Sequence, residues 1–179
     1  YQVKDITQKD NSVRPPAPFI TSSLQASAST VLGFGAKRTM RAAQALYEGI
    51  TIKGEGQVGL ITYMRTDSTH LSSDALQSVR RYIGNRFGDA YLPEKPNYYT
   101  SANKDAQEAH EAIRPTDAGR HPDTLPASVD EDQRRLYKLI WSRFVACQMS
   151  PARWHRTEIF FGREDENTGA VFKVGGRTL

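Results

Sequence analysis

The sequence predicts an α+β fold in which a mainly helical region, residues 17–150, lies between two β segments. Within that region, apolar residues recur at three- and four-residue steps in three separate segments. At both ends the apolar residues alternate with polar ones, and prolines mark the two transitions. A lone strand and a hairpin do not fold well by themselves. We therefore expect residues 1–16 and 151–179 to be end pieces of a second, β-rich domain into which the helical domain is inserted.

The first half of the helical region contains two predicted helices. Ser22 and Ser23 are candidate caps for the first, and a Gly-Phe-Gly sequence at residues 33–35 interrupts the helical pattern. The second helix is expected from about residue 36 to residue 47, with Gly49 closing it.

The middle of the chain contains the segment that most resembles a strand. Residues 58–64, with the sequence VGLITYM, are rich in β-branched and aromatic residues and follow a glycine-rich turn at residues 53–56. A third helix is predicted after Ser72 or Ser73, either of which can cap it, and Gly88 ends it.

The remaining residues predict a loop, two helices and a hairpin. Residues 89–105 are polar and broken by proline, and a short helix is expected at residues 106–112. The last helix is predicted at residues 131–149. Alternating segments around residues 154–161 and 171–174, joined by a charged turn at 162–169, predict a β-hairpin. The apolar face of the last helix consists of Leu136, Ile140, Phe144 and Cys147.

Composition limits the function classes without selecting one. The formal net charge of +4, from 24 Lys+Arg against 20 Asp+Glu, suits a polyanionic partner such as nucleic acid but is common in other proteins. Cys147 is the only cysteine, which rules out an intrachain disulfide and a zinc site built on several cysteines. Without a signal-peptide pattern or a long apolar run, we expect a cytoplasmic protein with no membrane partner. Because the chain begins at Tyr1 rather than Met, we expect either a piece of a longer protein or a chain that has lost a disordered start.

Tyr63 and Arg65 are the residues with the clearest chemical potential. On a strand they point to the same side, because alternate residues share a face. A cation beside a phenol favours the phenolate and stabilises charge on a phosphate under attack. On spacing alone, the simpler interpretation is a packed aromatic residue beside a solvated charge.

Five sequence stretches together resemble the type IA DNA topoisomerases of bacteria. They occur in that family's order and cover roughly residues 17–151. They are APFITSSLQ at Ala17–Gln25, LGFG with a following Thr-Met at residues 32–40, GLITYMRTDST at Gly59–Thr69, HEAIRP at His110–Pro115, and FVACQM at Phe144–Met149. Reverse gyrase has a similar core and stays open as an alternative on these motifs.

The resemblance implies roles for four residues. Tyr63 is expected to be the nucleophile that becomes linked to a 5′-phosphate, and Arg65 the cation that holds the scissile phosphate. His110 and Arg114 are expected to bind DNA or to support the tyrosine. Asp67, Ser68 and Thr69 are expected to hold the loop that follows.

The resemblance also implies an architecture, a cofactor and partners. The helical domain is expected to be CAP-like and to be inserted into a β-rich arch domain. Mg²⁺ is expected in the complete enzyme, bound by a separate acidic domain, with no metal site in this chain. The acidic run Glu164–Glu166 is expected to be a solvated turn.

The expected function is to cleave and reseal one DNA strand without ATP, relaxing negative supercoils. Single-stranded DNA and the remaining domains of the same polypeptide are the expected partners, with no obligate oligomer, and the nucleoid is the expected location. The isolated chain is expected to be inactive. The alternative is a non-catalytic module that binds single-stranded nucleic acid and uses Tyr63 for stacking.

Overall fold

The chain divides into two structural units, one of strands and one mainly of helices. The computed structural model describes residues 1–52, 54–99, 110–162 and 171–178. The first unit consists of Tyr1–Pro15 and Pro151–Leu179, and the second of Pro16–Ser150. The predicted combination of helices and sheet in one chain, the α+β class, is confirmed.

Where the structure describes it, the first unit is a three-stranded antiparallel sheet. Strand β1 (Gln2–Val13) lies at one edge, β4 (Ala152–Gly162) in the centre and β5 (Phe172–Thr178) at the other edge. Strands β4 and β5 pair as the predicted hairpin. Most of the predicted turn at 162–169, with the acidic run Glu164–Glu166, lies outside the described residues.

The described residues of the second unit form four α-helices. They are α1 (Thr21–Ser27), α2 (Ala36–Glu48), α3 (Ser73–Phe87) and α4 (Glu131–Cys147). The last three confirm the predicted helices. The hydroxyl of Ser72 caps α3 by accepting the Ala75 N–H, and the carboxylate of Asp130 caps α4 by accepting the Gln133 N–H.

Helix α1 differs from its prediction at its start. It begins at Thr21, so Ser22 and Ser23 lie inside the helix and are not its caps. The hydroxyl of Ser23 instead accepts the N–H of Ile20 at 3.0 Å, which satisfies a backbone donor at the helix start. The helix continues into a π-helical turn, Ala28–Leu32, which ends at Gly33 with a φ of 70°. That left-handed conformation favours glycine.

The hydrophobic core lies in the second unit. The predicted apolar face of α4 is buried, and α4 packs mainly against α2. The polar groups of two aromatic side chains on this helix also have hydrogen-bond partners. Tyr137 donates its hydroxyl to the Arg120 carbonyl at 2.8 Å, and the Trp141 indole donates to the Ala118 carbonyl at 2.9 Å.

The strand predicted at residues 58–64 is wrong for most of its length. A short hairpin of β2 (Ile50–Ile52) and β3 (Gly56–Val58) ends at residue 58. The following residues form only an isolated bridge between Ile61 and Pro115. Beside this bridge, the Thr62 hydroxyl accepts the Arg114 N–H and donates to the Ala112 carbonyl. A side chain thus takes the place of backbone partners, and no regular ladder of backbone hydrogen bonds forms.

The short helix predicted at residues 106–112 is not found where the structure can test it. Residues 106–109 lie outside the described residues, and residues 110–112 are not helical. Ala112 instead donates its N–H to the His70 carbonyl at 2.8 Å.

As for membrane insertion, none of the helices in the described ranges has both the length and the apolar character needed to cross a bilayer.

Candidate active site around Tyr63

The segment of residues 60–66 is held on one side by backbone hydrogen bonds from two distant parts of the chain. Leu60 donates its N–H to the Leu46 carbonyl at the end of α2 at 2.8 Å. Thr62 donates its N–H to the Arg114 carbonyl at 2.9 Å. Because both partners are remote in sequence, the conformation of this segment depends on the folded unit as a whole.

Thr21 holds the same segment from the other side. Its hydroxyl donates to the Met64 carbonyl at 2.8 Å and accepts the Thr66 N–H at 3.0 Å. Its own N–H donates to the Thr66 carbonyl at 2.9 Å. One threonine at the start of α1 therefore fixes the backbone on both sides of Arg65.

Buried and exposed side chains alternate strictly from residue 63 to residue 68. Met64, Thr66 and Ser68 are buried, whereas Tyr63, Arg65 and Asp67 are exposed. The alternation is the one expected for an extended segment, although no regular strand forms there. Tyr63 and Arg65 are consequently presented to solvent by a backbone that is anchored beneath them.

The phenol of Tyr63 is accessible but not free of contacts. Its side chain is 49% exposed, and its ring meets that of Tyr47 edge to face, with centroids 5.2 Å apart. Tyr47 lies in the last turn of α2 and is itself 41% exposed. An accessible phenol with a restrained ring can act as a nucleophile toward a large substrate.

Arg65 and His110 line one open depression of about 500 Å³. The depression lies against the start of α1, and its lining contains one guanidinium, one imidazole and the carboxylate of Asp67. The complete lining consists of Ile20, Thr21, Ser22, Gln25, Arg65, Thr66, Asp67 and His110. Two of the predicted site residues are thus brought together at a surface suited to a phosphate group.

Arg114 is positioned differently from the other three predicted residues. Its guanidinium donates to the Glu111 carboxylate at 2.6 Å, and its side chain is only 14% exposed. The other oxygen of that carboxylate accepts the Ser72 N–H at 2.8 Å. Arg114 therefore connects the segment beside Tyr63 to the start of α3, a geometry that suits support better than contact with DNA.

The acid strength of Glu111 reflects this arrangement. Partial burial acts to raise the pKa of its carboxyl, but hydrogen bonds from Ser72 and Arg114 outweigh it and lower the pKa below the ordinary value. The ionised form of Glu111 is thus the one that the fold stabilises.

The loop after Arg65 is held by hydrogen bonds of its own serine and threonine hydroxyl groups. Ser68 donates its N–H to the Thr66 hydroxyl at 3.1 Å, and the Ser68 hydroxyl accepts the His70 N–H at 3.1 Å. Thr69 donates its hydroxyl to the Tyr99 carbonyl at 3.2 Å. These contacts are those of side chains that hold a turn.

Sequence reasoning did not identify Thr21 or Tyr47 as part of the site. In the sequence, Tyr47 is only the last residue of the predicted second helix, and in the structure it is 41% exposed beside Tyr63. Thr21 belongs to a quoted motif, yet nothing in the sequence indicates that its hydroxyl reaches residues more than 40 positions away. A pattern of local spacing does not contain that information.

Comparison with known proteins identifies the family. The family described as DNA topoisomerase matches the chain over residues 1–179. The chain belongs to the DNA topoisomerase family. The resemblance drawn from the five motifs is thereby confirmed.

Individual topoisomerase relatives agree with this assignment. DNA topoisomerase 1 of Haemophilus influenzae is 56% identical over 179 residues, which are 100% of this chain and 19% of that protein. DNA topoisomerase 1 of Campylobacter jejuni is 48% identical over 179 residues, again 100% of this chain and 25% of the relative. The chain therefore spans about a fifth to a quarter of the length of these topoisomerases.

A solved topoisomerase structure has the same fold. Full-length topoisomerase I from Thermotoga maritima matches with a TM-score of 0.81 and 36% sequence identity. The match covers 98% of this chain and 27% of the Thermotoga chain.

Proposed function

We propose that this chain is the nucleophile-bearing part of a type IA DNA topoisomerase, with Tyr63 as the nucleophile. The observation that carries the proposal is the exposure of Tyr63 and Arg65 on one anchored segment, with Met64 between them buried to 1% exposure. A nucleophile that must reach a phosphate inside a DNA strand needs both access and a fixed backbone. Membership of the topoisomerase family supports the same role.

The proposed reaction exchanges one phosphodiester for another. The phenolic oxygen of Tyr63 attacks the phosphorus, the bond from phosphorus to the 3′-oxygen breaks, and a 5′-phosphotyrosyl link forms. The phenolic proton leaves, and the departing 3′-oxygen takes up a proton. Because the new link retains a phosphodiester, the 3′-hydroxyl can attack it in turn and reseal the strand without ATP.

Arg65 is proposed to stabilise the phosphate during both steps. A guanidinium offers several donors in a fixed plane and stays charged at physiological pH, which suits the extra negative charge on a five-coordinate phosphorus. His110 shares the depression with Arg65 and is proposed to bind the DNA backbone there. Arg114 is proposed to support the tyrosine segment through its pair with Glu111.

Among the described residues, no group of three or more histidine, cysteine, aspartate or glutamate side chains lies close enough together to hold a metal ion. Mg²⁺ remains proposed for the complete enzyme, in a separate acidic domain.

The wider cycle is proposed for a longer polypeptide. The matched relatives are about four to five times the length of this chain, so the remaining domains are its proposed partners. The helical unit is proposed to be a CAP-like domain inserted into a β-rich arch, with residues 1–16 and 151–179 as end pieces of that arch. Passage of a second strand through the cleaved one would then relax negative supercoils, and single-stranded DNA is the proposed substrate. Because the named relatives are bacterial, we propose the bacterial nucleoid as the place of action.

The decisive experiment traps the covalent intermediate. Full-length protein is mixed with a labelled single-stranded oligonucleotide and Mg²⁺, quenched with denaturant, and digested so that the labelled peptide can be sequenced. We expect the label on the peptide that contains Tyr63, and no adduct with Tyr63→Phe. Tyr98→Phe, at an exposed tyrosine in a different part of the same unit, is the matched control and should leave the adduct unchanged.

The same experiment tests the binding-module alternative. Stacking survives a change from tyrosine to phenylalanine, whereas a phosphotyrosyl link does not. A protein that forms no adduct and binds the oligonucleotide equally well with and without the Tyr63→Phe substitution would support that alternative. The family assignment disfavours it.

A further inference from the structure

Tyr47 lies against the proposed nucleophile, although no motif assigns it a role. The two rings meet edge to face, at an interplanar angle of 63° and a centroid separation of 5.2 Å. Each ring is close to half exposed, so the contact sits at the surface that a substrate approaches. Edge-to-face contacts between aromatic rings are attractive and orient both partners.

Tyr47 is itself fixed relative to the segment that carries Tyr63. Its carbonyl lies so close to Gly59 that a Cβ placed on Gly59 would be 2.8 Å from the Tyr47 oxygen. In the same region, Leu60 donates its N–H to the Leu46 carbonyl at 2.8 Å. The last turn of α2 and the start of the Tyr63 segment are therefore in direct backbone contact.

A second glycine makes a similar close approach just after α2. Gly49, which ends the helix with a φ of 100°, would place a Cβ 2.8 Å from the backbone of Val58. A residue with a side chain fits neither the space nor the positive φ. Two glycines thus allow the end of α2 to pack on residues 58–59, and Tyr47 is carried on that packed end.

We propose that Tyr47 is a positioning residue that holds the phenol of Tyr63 in the orientation needed for attack on the phosphodiester. The inference rests on the proposed role of Tyr63 as the nucleophile. The backbone around Tyr63 is anchored, but a half-exposed side chain still has two torsions about which it can turn. The edge of the Tyr47 ring restricts them before the substrate arrives.

The consequence is kinetic and does not depend on affinity for DNA. Restricting the nucleophile to a reactive geometry raises the rate of the chemical step, and small misplacements can slow it by up to about 10²-fold. The contribution of Tyr47 to the rate comes from its ring and not from its hydroxyl. A phenylalanine at this position should therefore give the same rate. An aromatic residue that stacks on a base would instead contribute to binding.

The experiment measures adduct formation in a single turnover with the full-length protein. A labelled single-stranded oligonucleotide and Mg²⁺ are used at saturating concentrations, and the dissociation constant for the same oligonucleotide is measured separately. Tyr47→Leu removes the ring, Tyr47→Phe keeps it, and Tyr91→Leu removes an exposed tyrosine from a different ring pair, the one with Phe87.

We expect Tyr47→Leu to slow adduct formation roughly 10-fold with an unchanged dissociation constant. Tyr47→Phe and Tyr91→Leu should stay within about 2-fold of the unaltered protein. An unchanged rate in Tyr47→Leu overturns the proposal. So does weaker binding with an unchanged rate at saturation, equal slowing by leucine and phenylalanine, or equal slowing in Tyr91→Leu.

Tyr63→Phe separates this inference from the function on which it rests. If Tyr63→Phe still forms the adduct, the nucleophile has been assigned incorrectly and the proposed function fails. If Tyr63→Phe abolishes the adduct while Tyr47→Leu forms it at the original rate, only the positioning role is wrong.

Discussion

Arg114 and Glu111 form a 2.6 Å ion pair that joins the segment beside Tyr63 to the start of α3. Glu111 accepts the Ser72 N–H with its other oxygen, while the backbone of Arg114 is hydrogen-bonded to Thr62 on both its N–H and its carbonyl. The pair is largely shielded, with side chains 14% and 27% exposed. The pair therefore connects residues 111–114, beside Tyr63, to the start of α3.

Replacing Arg114 with alanine should destabilise this connection. The Glu111 carboxylate would keep its partial burial but lose its ionic partner, and we expect a loss of roughly 1–3 kcal/mol after allowing for its contact with solvent. Hydrogen exchange of the full-length protein, followed in peptides covering residues 60–76, should show faster exchange. Arg81→Ala, at an exposed arginine of α3, should change exchange there little; equal acceleration by both variants would contradict the proposed support.

The same ion pair predicts a loss of stability in acid. The folded protein lowers the pKa of Glu111 below its ordinary value of 4.5, so the folded state binds the proton less readily than the unfolded state. The contribution of this carboxylate is complete above about pH 4.5 and is lost as the pH falls through the lower folded pKa. The urea concentration at the unfolding midpoint, measured between about pH 3 and pH 7, should fall less steeply with decreasing pH in Glu111→Gln than in the unaltered protein. Identical pH profiles for the two proteins would show that Glu111 does not carry this dependence.

The close approach of α2 to residue 59 predicts a marked effect of a single methyl group. In Gly59→Ala the new Cβ would lie 2.8 Å from the backbone carbonyl oxygen of Tyr47. Because neither atom can turn away as a flexible side chain could, the end of α2 and residue 59 must move apart. We expect a loss of about 1–3 kcal/mol in the free energy of unfolding, together with slower adduct formation. Gly84→Ala, inside α3, is the matched control, since its Cβ meets no atom closer than 3.9 Å and alanine is favoured over glycine in a helix. Equal stability of the two variants would contradict the close packing.

Local sequence signals predicted α2, α3 and α4 well because the signals that define them are local. The cap at Ser72 and the end of α3 at Gly88 depend on partners within a few residues, and the face of α4 that packs on α2 is recognisable from apolar residues three and four positions apart. The α+β class followed from the same patterns.

The geometry around Tyr63 could not be predicted in the same way. Residues 58–64 have strand-forming composition, but their hydrogen-bond partners include Leu46, Ala112 and Arg114, which no local pattern connects to them. The motif pattern indicated Tyr63 and Arg65 as site residues, and their roles remain predictions. The contact with Tyr47 depends on how α2 ends, which became visible only in three dimensions.

Cys147 should be nearly inert toward alkylation in the folded protein. Burial in the core raises the pKa of its thiol to about 12, and its Sγ–H donates to the Phe144 carbonyl at 3.0 Å. Compared with an ordinary cysteine of pKa about 8.5, the reactive thiolate at neutral pH is depleted by roughly 10³-fold, and access is also blocked. Iodoacetamide labelling of the peptide that contains Cys147, quantified by mass spectrometry, should therefore be at least about 10³-fold slower in the folded protein than in urea. Comparable labelling rates in both states would show that this end of α4 opens readily, and that the packing of α4 on α2 is weaker than the buried face of the helix implies.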